Sequence, residues 1–397
     1  MPNPNEVATL IVAGRRFEDF KTVMVEHRWA EAFPRFAFTT ADIVEAPPSW
    51  EMLQFKPGDA CTVYLGGHIA VNGVILTRQS VYAAENHLVR LEGVGITWAA
   101  ARSSIMDKES KFDNMTFEQI ARKVIAPTGV GVDVIGQLDA TPFPKGTKNQ
   151  PGESVWDFLE NLARVRGIVL GSTPFGAMLL IGEHNYTAVE NLIEGQNVLR
   201  MNCIISVAPT RSQFLVRGSS MGGDGHSGPM ASEMEASVPG SLSLYSPLLV
   251  PSEQPVWNVG ELEMRANAER RWNEGERIQA TCVVQGWLRA GKALWMAGDK
   301  VHVLSPMAML DMDMKIYSAT FSQDEQGTIT TLSLCEPSRL LDMDINVGPA
   351  PTAKANDQPA TTPPAQKVPD PPPATIEPSR PASPQPPFDM PIYQPSG

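Results

Sequence analysis

Residues able to do chemistry are few in this chain, and they are scattered. The segment Gly222-Gly223-Asp224-Gly225-His226-Ser227-Gly228 places an acid and an imidazole among glycines. That pair could ligate a metal, but two ligands on a glycine loop do not complete a coordination shell, and no second pair is spaced to help. Its glycines do not form the G-x-G-x-x-G fingerprint, and no strand leads directly into it as a βα turn, so nucleotide binding is not expected. Asp311 and Asp313 stand two apart and suggest paired carboxylates; in a turn region they read as solvated loop charges. The six histidines are dispersed, with His27, His68, His87, His184 and His302 in or beside strands and turns. No Ser-x-Gly elbow or Cys-His spacing recurs. Cys61, Cys203, Cys282 and Cys335 each lie in an apolar run without a C-x-x-C partner, which predicts four buried thiols. The expected catalytic, cofactor-binding and metal residues are therefore none, and no cofactor is expected.

The elements around these residues are mostly strands. Residues 1–100 carry short β-like runs at Val7 to Val12, Lys21 to His27, Arg35 to Thr40, Ala60 to Leu65, Val71 to Arg78 and Leu88 to Val94. In the last, Val89 and Leu91 alternate with Arg90 and Glu92, the period of a half-buried strand. Residues 101–190 are mixed. Thr116-x-x-Gln119 is a capping-box pattern opening a helix with Phe117, Ile120 and Val124 on one face, ended by Pro127. A second helix follows Ser154, turns Val155, Phe158, Leu159 and Leu162 inward, and stops at Gly167. Ile168 to Leu170 and Ala177 to Ile181 flank a hairpin turn.

Residues 191–345 return to strands: Val198 to Val207, Phe214 to Arg217, Arg277 to Gln285, Lys300 to Leu304, Lys315 to Ser322 and Thr328 to Cys335. An insertion at 219–275 interrupts them. Its first part, Ser219 to Pro239, reads as a Gly/Ser/Met-rich loop; its last is a helix capped by Asn258-x-x-Glu261, with Glu261 and Arg265 spaced to pair. That helix, Val259 to Trp272, is expected to pack between subunits or between barrels. From residue 346 the chain holds nearly half of its 35 prolines, which predicts a disordered, extended tail dispensable for assembly.

Net charge is -12 and only 19% of residues are charged. No basic run is longer than a pair such as Arg15-Arg16 or Arg270-Arg271, so gripping a phosphate backbone is disfavoured. No stretch approaches the roughly 18 apolar residues that span a bilayer, so no stable membrane insertion is expected. No secretory signal is visible at the N-terminus.

One internal echo stands out. Pro57-Gly58-Asp59 precedes the strand Ala60 to Tyr64, another strand and a hairpin; Ala297-Gly298-Asp299 precedes Lys300 to Leu304, another strand and a hairpin. The order predicts a duplicated barrel. The expected fold class is α+β, mainly β: two similar β-barrel domains, a small mixed α/β domain between them, and the Pro-rich tail. Assembled as a trimer, such a chain presents six similar units in a ring.

Several motifs resemble a known family. Leu294-Trp295-x-x-Gly298-Asp299-x-Val301-x-Val303 is similar to the last barrel of the Mu-like phage tail protein P family. So are Phe321-Ser322-x-Asp324-x-x-Gly327-Thr328 with Glu336-Pro337, Val284-Gln285-Gly286-Trp287, and Arg270-Arg271-Trp272. Ser154-x-Trp156-Asp157-Phe158-Leu159 fits its middle domain. The resemblance implies the baseplate central hub of a contractile tail, with a T-even hub-like fold and no enzyme activity. It implies a homotrimer in the virion, assembled in the host cytoplasm, contacting the tail tube protein, the central spike protein and other baseplate proteins, with DNA passing through the lumen without specific binding; the net charge of -12 predicts that mainly acidic and neutral residues line that lumen. Trp156, Trp272, Trp287 and Trp295 are candidates for subunit-interface anchors or core residues. The rival readings are the hub of a type VI-like injection spike, which would continue into a β-helical spike, and a tail-borne cell-wall-binding or hydrolysing protein.

Overall fold

The computed structural model describes residues 4–41, 55–83, 86–106, 111–182, 184, 187–219, 233–252 and 259–340. The tail expected from 346 and the Asp224/His226 loop lie outside them.

The first strands are β1 (Ala8–Val12), β2 (Arg15–Phe17), β3 (Thr22–Arg28), β4 (Arg35–Ala41), β5 (Ala60–Leu65), β6 (His68–Ala83) and β7 (Asn86–Gly95). Helices α1 (Thr97–Arg102) and α2 (Phe117–Ile125) follow, then β8 (Gly131–Ile135), α3 (Val155–Val165), β9 (Val169–Ser172) and β10 (Ala177–Ile181). The second half holds β11 (Ala188–Ile193), β12 (Arg200–Ile205), β13 (Gln213–Ser219), β14 (Glu233–Pro239), β15 (Pro247–Pro251) and α4 (Val259–Glu274). It ends with β16 (Ile278–Gln285), β17 (Leu288–Arg289), β18 (Ala293–Leu294), β19 (Lys300–Ser305), β20 (Leu310–Asp324) and β21 (Gly327–Cys335).

One 13-stranded sheet organises the molecule, in the order β12-β16-β21-β20-β3-β4-β7-β6-β5-β1-β2, with β19 also on β20 and β11 on β19. The sequence predicts two separate barrels. Instead the two strand sets run into one sheet, because β3 pairs antiparallel with β20, Val25 opposite Phe321. No pairing closes the path into a barrel among the described residues.

Period-two alternation sorts the faces of this sheet. Val23 and Val25 of β3, Phe36 and Phe38 of β4, Leu91 of β7, Phe321 of β20 and Leu332 of β21 are all buried in one core. Burying an aromatic ring of this kind contributes roughly 2–3 kcal/mol. The intervening Met24, Glu26, Arg35, Arg90, Thr320 and Thr331 are exposed or half-buried on the other face.

The middle unit has its own core. Thr116 and Gln119 form the expected reciprocal capping box at α2, and the Ser154 hydroxyl accepts from the Asp157 amide at α3. Phe117, Ile120, Phe158 and Leu159 pack on the sheet β8-β10-β9. The strand after it, β11, straddles residue 190 and pairs parallel with β19 of the large sheet.

The insertion differs from expectation. Its predicted loop contains β14, and β14-β13-β15 form a separate sheet, so Phe214 to Arg217 lie there and not in a second barrel. Met234, Ala236 and Val238 face inward while Glu235 and Ser237 face out, the same period-two pattern that marks β7. Leu262 and Ala266 of α4 close this sheet's core against Val216, Ala236 and Val238. Within the chain α4 therefore packs on the insertion's own sheet. Arg265 pairs with Glu269 at 2.6 Å, and Glu261 lies buried 3.9 Å from Arg166, because the first turn of α4 faces the middle unit.

Candidate functional site

The residues with chemical potential do not converge. His302 lies on β19, and its Nδ1 is 2.9 Å from Asp313 and its Nε2 3.2 Å from Asp311. Both carboxylates sit on β20, correcting their reading as loop charges: the β19–β20 hairpin sets Asp313 directly opposite His302. Among the described residues no group of three or more His, Cys, Asp or Glu side chains could hold a metal ion. Cys61, Cys282 and Cys335 are buried, and burial pushes their thiols up to about 12. Cys203 is only half-buried, against expectation, because it sits on the outermost strand β12. Trp287 and Trp295 belong to the core, Trp156 packs partly against the middle core, and Trp272 is exposed under Arg339 at 4.2 Å. No helix among the described residues is long and apolar enough to cross a membrane.

What the fold does present is a repeat. In the turn before β5, Gly58 takes φ +98°, donates to the Ile75 carbonyl at 2.8 Å, and Asp59 accepts from the Lys56 amide at 2.8 Å. Before β19, Gly298 takes φ +94°, donates to the Ile316 carbonyl at 2.7 Å, and Asp299 accepts from the Met296 amide at 3.2 Å. The Ile75 amide donates to the Asp59 carbonyl at 3.0 Å, and Ile316 to Asp299 at 2.9 Å. A β-bulge follows each isoleucine, between Ile75 and Thr77 and between Ile316 and Ser318. Only glycine enters the left-handed region without strain, which is why both turns carry one. The echo in the sequence is thus a duplicated structural unit: β5, β6, β7, β4 and β3 match β19, β20, β21, β16 and β12.

The copies differ in one respect. The outer edge of β3 is covered by β20. Its counterpart β12 ends the sheet, and among the described residues no strand pairs with its outer edge. Apolar side chains gather there: Leu199, Ile204, Ile205 and Val207 are exposed, Val207 at 69%, with Met307 nearby on the β19–β20 turn. Glu194, Leu199, Met201, Cys203, Met307 and Ala308 line an open groove of about 490 Å³ beside this edge. Apolar residues clustered on an unpaired edge mark an association surface, since water-exposed edges are usually blunted by charge. Nothing in the sequence pattern alone separates β12 from a covered strand; the signal lies in its place in the order.

Comparison with known proteins agrees with this architecture. Residues 261–342 match the family model for the fourth domain of the Mu phage baseplate assembly protein GpP. Residues 101–199 match that for the second domain of gp44-like baseplate hub proteins. The baseplate hub protein gp44 of Escherichia phage Mu is 24% identical over 339 residues, 83% of this chain and 88% of that protein. The 43 kDa tail protein of prophage MuSo2 from Shewanella oneidensis superposes with a TM-score of 0.72 at 24% identity, covering 85% of this chain and all of that one. A tail protein from Neisseria meningitidis gives 0.71 at 19% identity, covering 85% and 99%. Two domain models in chain order, a relative aligned along most of its length and this shared fold all make the chain similar to Mu-like phage baseplate hub proteins.

Proposed function

We propose that the chain is the structural hub of a contractile tail baseplate: a homotrimeric ring of six similar units joining a sixfold tail tube to a threefold spike, with a bore that passes DNA. The observation that carries this is the duplicated turn–strand–hairpin unit. Two copies per chain turn a threefold assembly into a pseudo-sixfold one, the match needed between a hexameric tube and a trimeric spike. Residues 1–100 and 191–345 supply the two ring units, 101–190 a peripheral unit, and the tail after 346 a tether that ring formation does not need. The work is assembly, not catalysis; the scattered polar residues described above support that reading. The half-exposed apolar edge at β12 supports association with further copies.

Light scattering on the purified chain tests the ring. The expected mass is about 130 kDa, three times 43.2 kDa, and a chain truncated after Val347 should keep the same threefold state. A full-length chain monomeric at every concentration would contradict the ring, and a truncated chain that alone became monomeric would contradict the dispensable tail.

A further inference from the structure

We infer that the open edge of β12 pairs antiparallel with β6 of a neighbouring copy, in a register that the chain's own β3–β20 pairing dictates. The inference rests on the ring reading and deepens it by naming which strands meet and which residues face each other.

The register follows from the internal repeat. Ile75 lies opposite Gly93, and Ile316 opposite Leu334, each just before the bulge. Gly93 lies opposite Phe36, and Leu334 opposite Ala280. Phe36 lies opposite Val25, and Ala280 opposite Cys203. Cys203 is therefore the counterpart of Val25. Phe321 stands five residues after Ile316, and Ser80 five after Ile75. Within the chain Val25 faces Phe321; between copies Cys203 faces Ser80, Ile204 faces Gln79 and Ser206 faces Thr77.

Both edges are available. The stretch of β20 that receives β3, Ser318 to Gln323, corresponds to β6 from Thr77 onward. There β6 is paired on one side by β7, and among the described residues no strand covers the other side. Exposure shows what is missing. Val23, Val25 and His27 are buried on β3, whereas their counterparts Met201 and Cys203 are half-buried and Ile205 is 48% exposed.

A second junction contact repeats the correspondence independently. Just past β3, Trp29 donates its amide to the carbonyl of bulge residue Tyr317 at 2.8 Å and lays its ring against Gly298. The counterpart of Trp29 is Val207, which is exposed, and the counterpart of Gly298 is Gly58, which has open space where a side chain would begin. A neighbour's Val207 over Gly58 fills both. Because a donor edge on one copy meets a different, acceptor edge on the next, the contact is head-to-tail and closes only as a ring.

Directly opposed residues on antiparallel strands have Cα atoms about 4.5–5.5 Å apart, within disulfide reach. The test is Ser80→Cys in the otherwise native full-length chain, oxidised with copper phenanthroline and run on non-reducing gels beside Val81→Cys and the double variant Ser80→Cys/Cys203→Ser. Light scattering runs in parallel. Ser80→Cys should link efficiently through native Cys203 into a closed covalent species near three chain masses. Val81→Cys, whose side chain leaves the other face of the strand, and the double variant should not. An oligomer of threefold mass in which Ser80→Cys stays unlinked, or links no better than Val81→Cys, overturns the register and leaves the ring standing. A chain both monomeric and unlinked overturns ring and register together.

Discussion

Replacing Gly298 with alanine should cost about 3 kcal/mol of stability, while the same change at its repeat counterpart Gly58 should cost about 1 kcal/mol. Both glycines sit at left-handed φ, +94° and +98°, so both alanines carry the strain of that region, on the order of 1–2 kcal/mol. Space separates them. A Cβ on Gly298 would lie 2.3 Å from Cζ3 of Trp29, far inside van der Waals contact, whereas a Cβ on Gly58 meets nothing within 4 Å. Neither Gly298 nor the ring can retreat easily. The Gly298 amide is held by Ile316, and Trp29 is buried with Ile181, Cys335 and Leu340 under the Lys315 ammonium. Overpacking a site of this kind adds roughly 1–3 kcal/mol. Urea unfolding of the two single variants checks this. Equal losses would show that Trp29 does not lock the two repeats together through this turn.

Acidification should weaken the same junction through His27. This imidazole is buried on β3 opposite Ala319, edge-on to Phe321, with one hydrogen bond to the Ala70 carbonyl and no partner for its Nε2. Burial disfavours the charged ring and lowers its pKa from 6.5 to about 4. Below 6.5 the unfolded chain takes up a proton that the folded chain refuses. The stability present above 6.5 therefore falls as pH drops toward 4, by about 1.4 kcal/mol per pH unit and on the order of 3 kcal/mol in all. Below about 4 both states are protonated and this contribution stops growing. In His27→Leu, the slope of unfolding free energy against pH between 6.5 and 4 should shrink by one proton's worth. An unchanged slope would mean that other groups govern the acid response.

Elements governed by local rules were legible in the sequence. The capping box at Thr116 and Gln119, the Ser154 cap, the alternation in β7 and the paired Gly-Asp turns are short-range signals, and each corresponds to a feature of the structure. What was not legible depends on partners far along the chain. Nothing near Val25 announces Phe321, yet that pairing turns two expected barrels into one sheet. His302 finds Asp313 only once the β19–β20 hairpin is drawn. The β14 strand carried its own alternation at Met234, Ala236 and Val238, masked by the glycine- and serine-rich composition before it. The open edge at β12 was not legible either, because an exposed Ile204 looks in sequence like any strand residue.

The open face of the large sheet bears on how a polyanion would move past it. This face carries arginines beside its carboxylates. On β3 Arg28 pairs with Glu26 at 2.8 Å, on β7 Arg90 pairs with Glu92 at 2.8 Å, and Arg35 pairs with Glu31 at 2.7 Å; between them stand Thr39, Thr320, Thr331 and Ser333. Each of these three cations has its anion closer than the ~8 Å over which physiological salt screens charge. In the proposed ring, a duplex sliding along such a wall would meet hydroxyls and dipoles instead of anchoring charges. Its friction would then vary little with ionic strength, so a low-drag channel needs no overall negative lining, only charges that are neutralised where they stand.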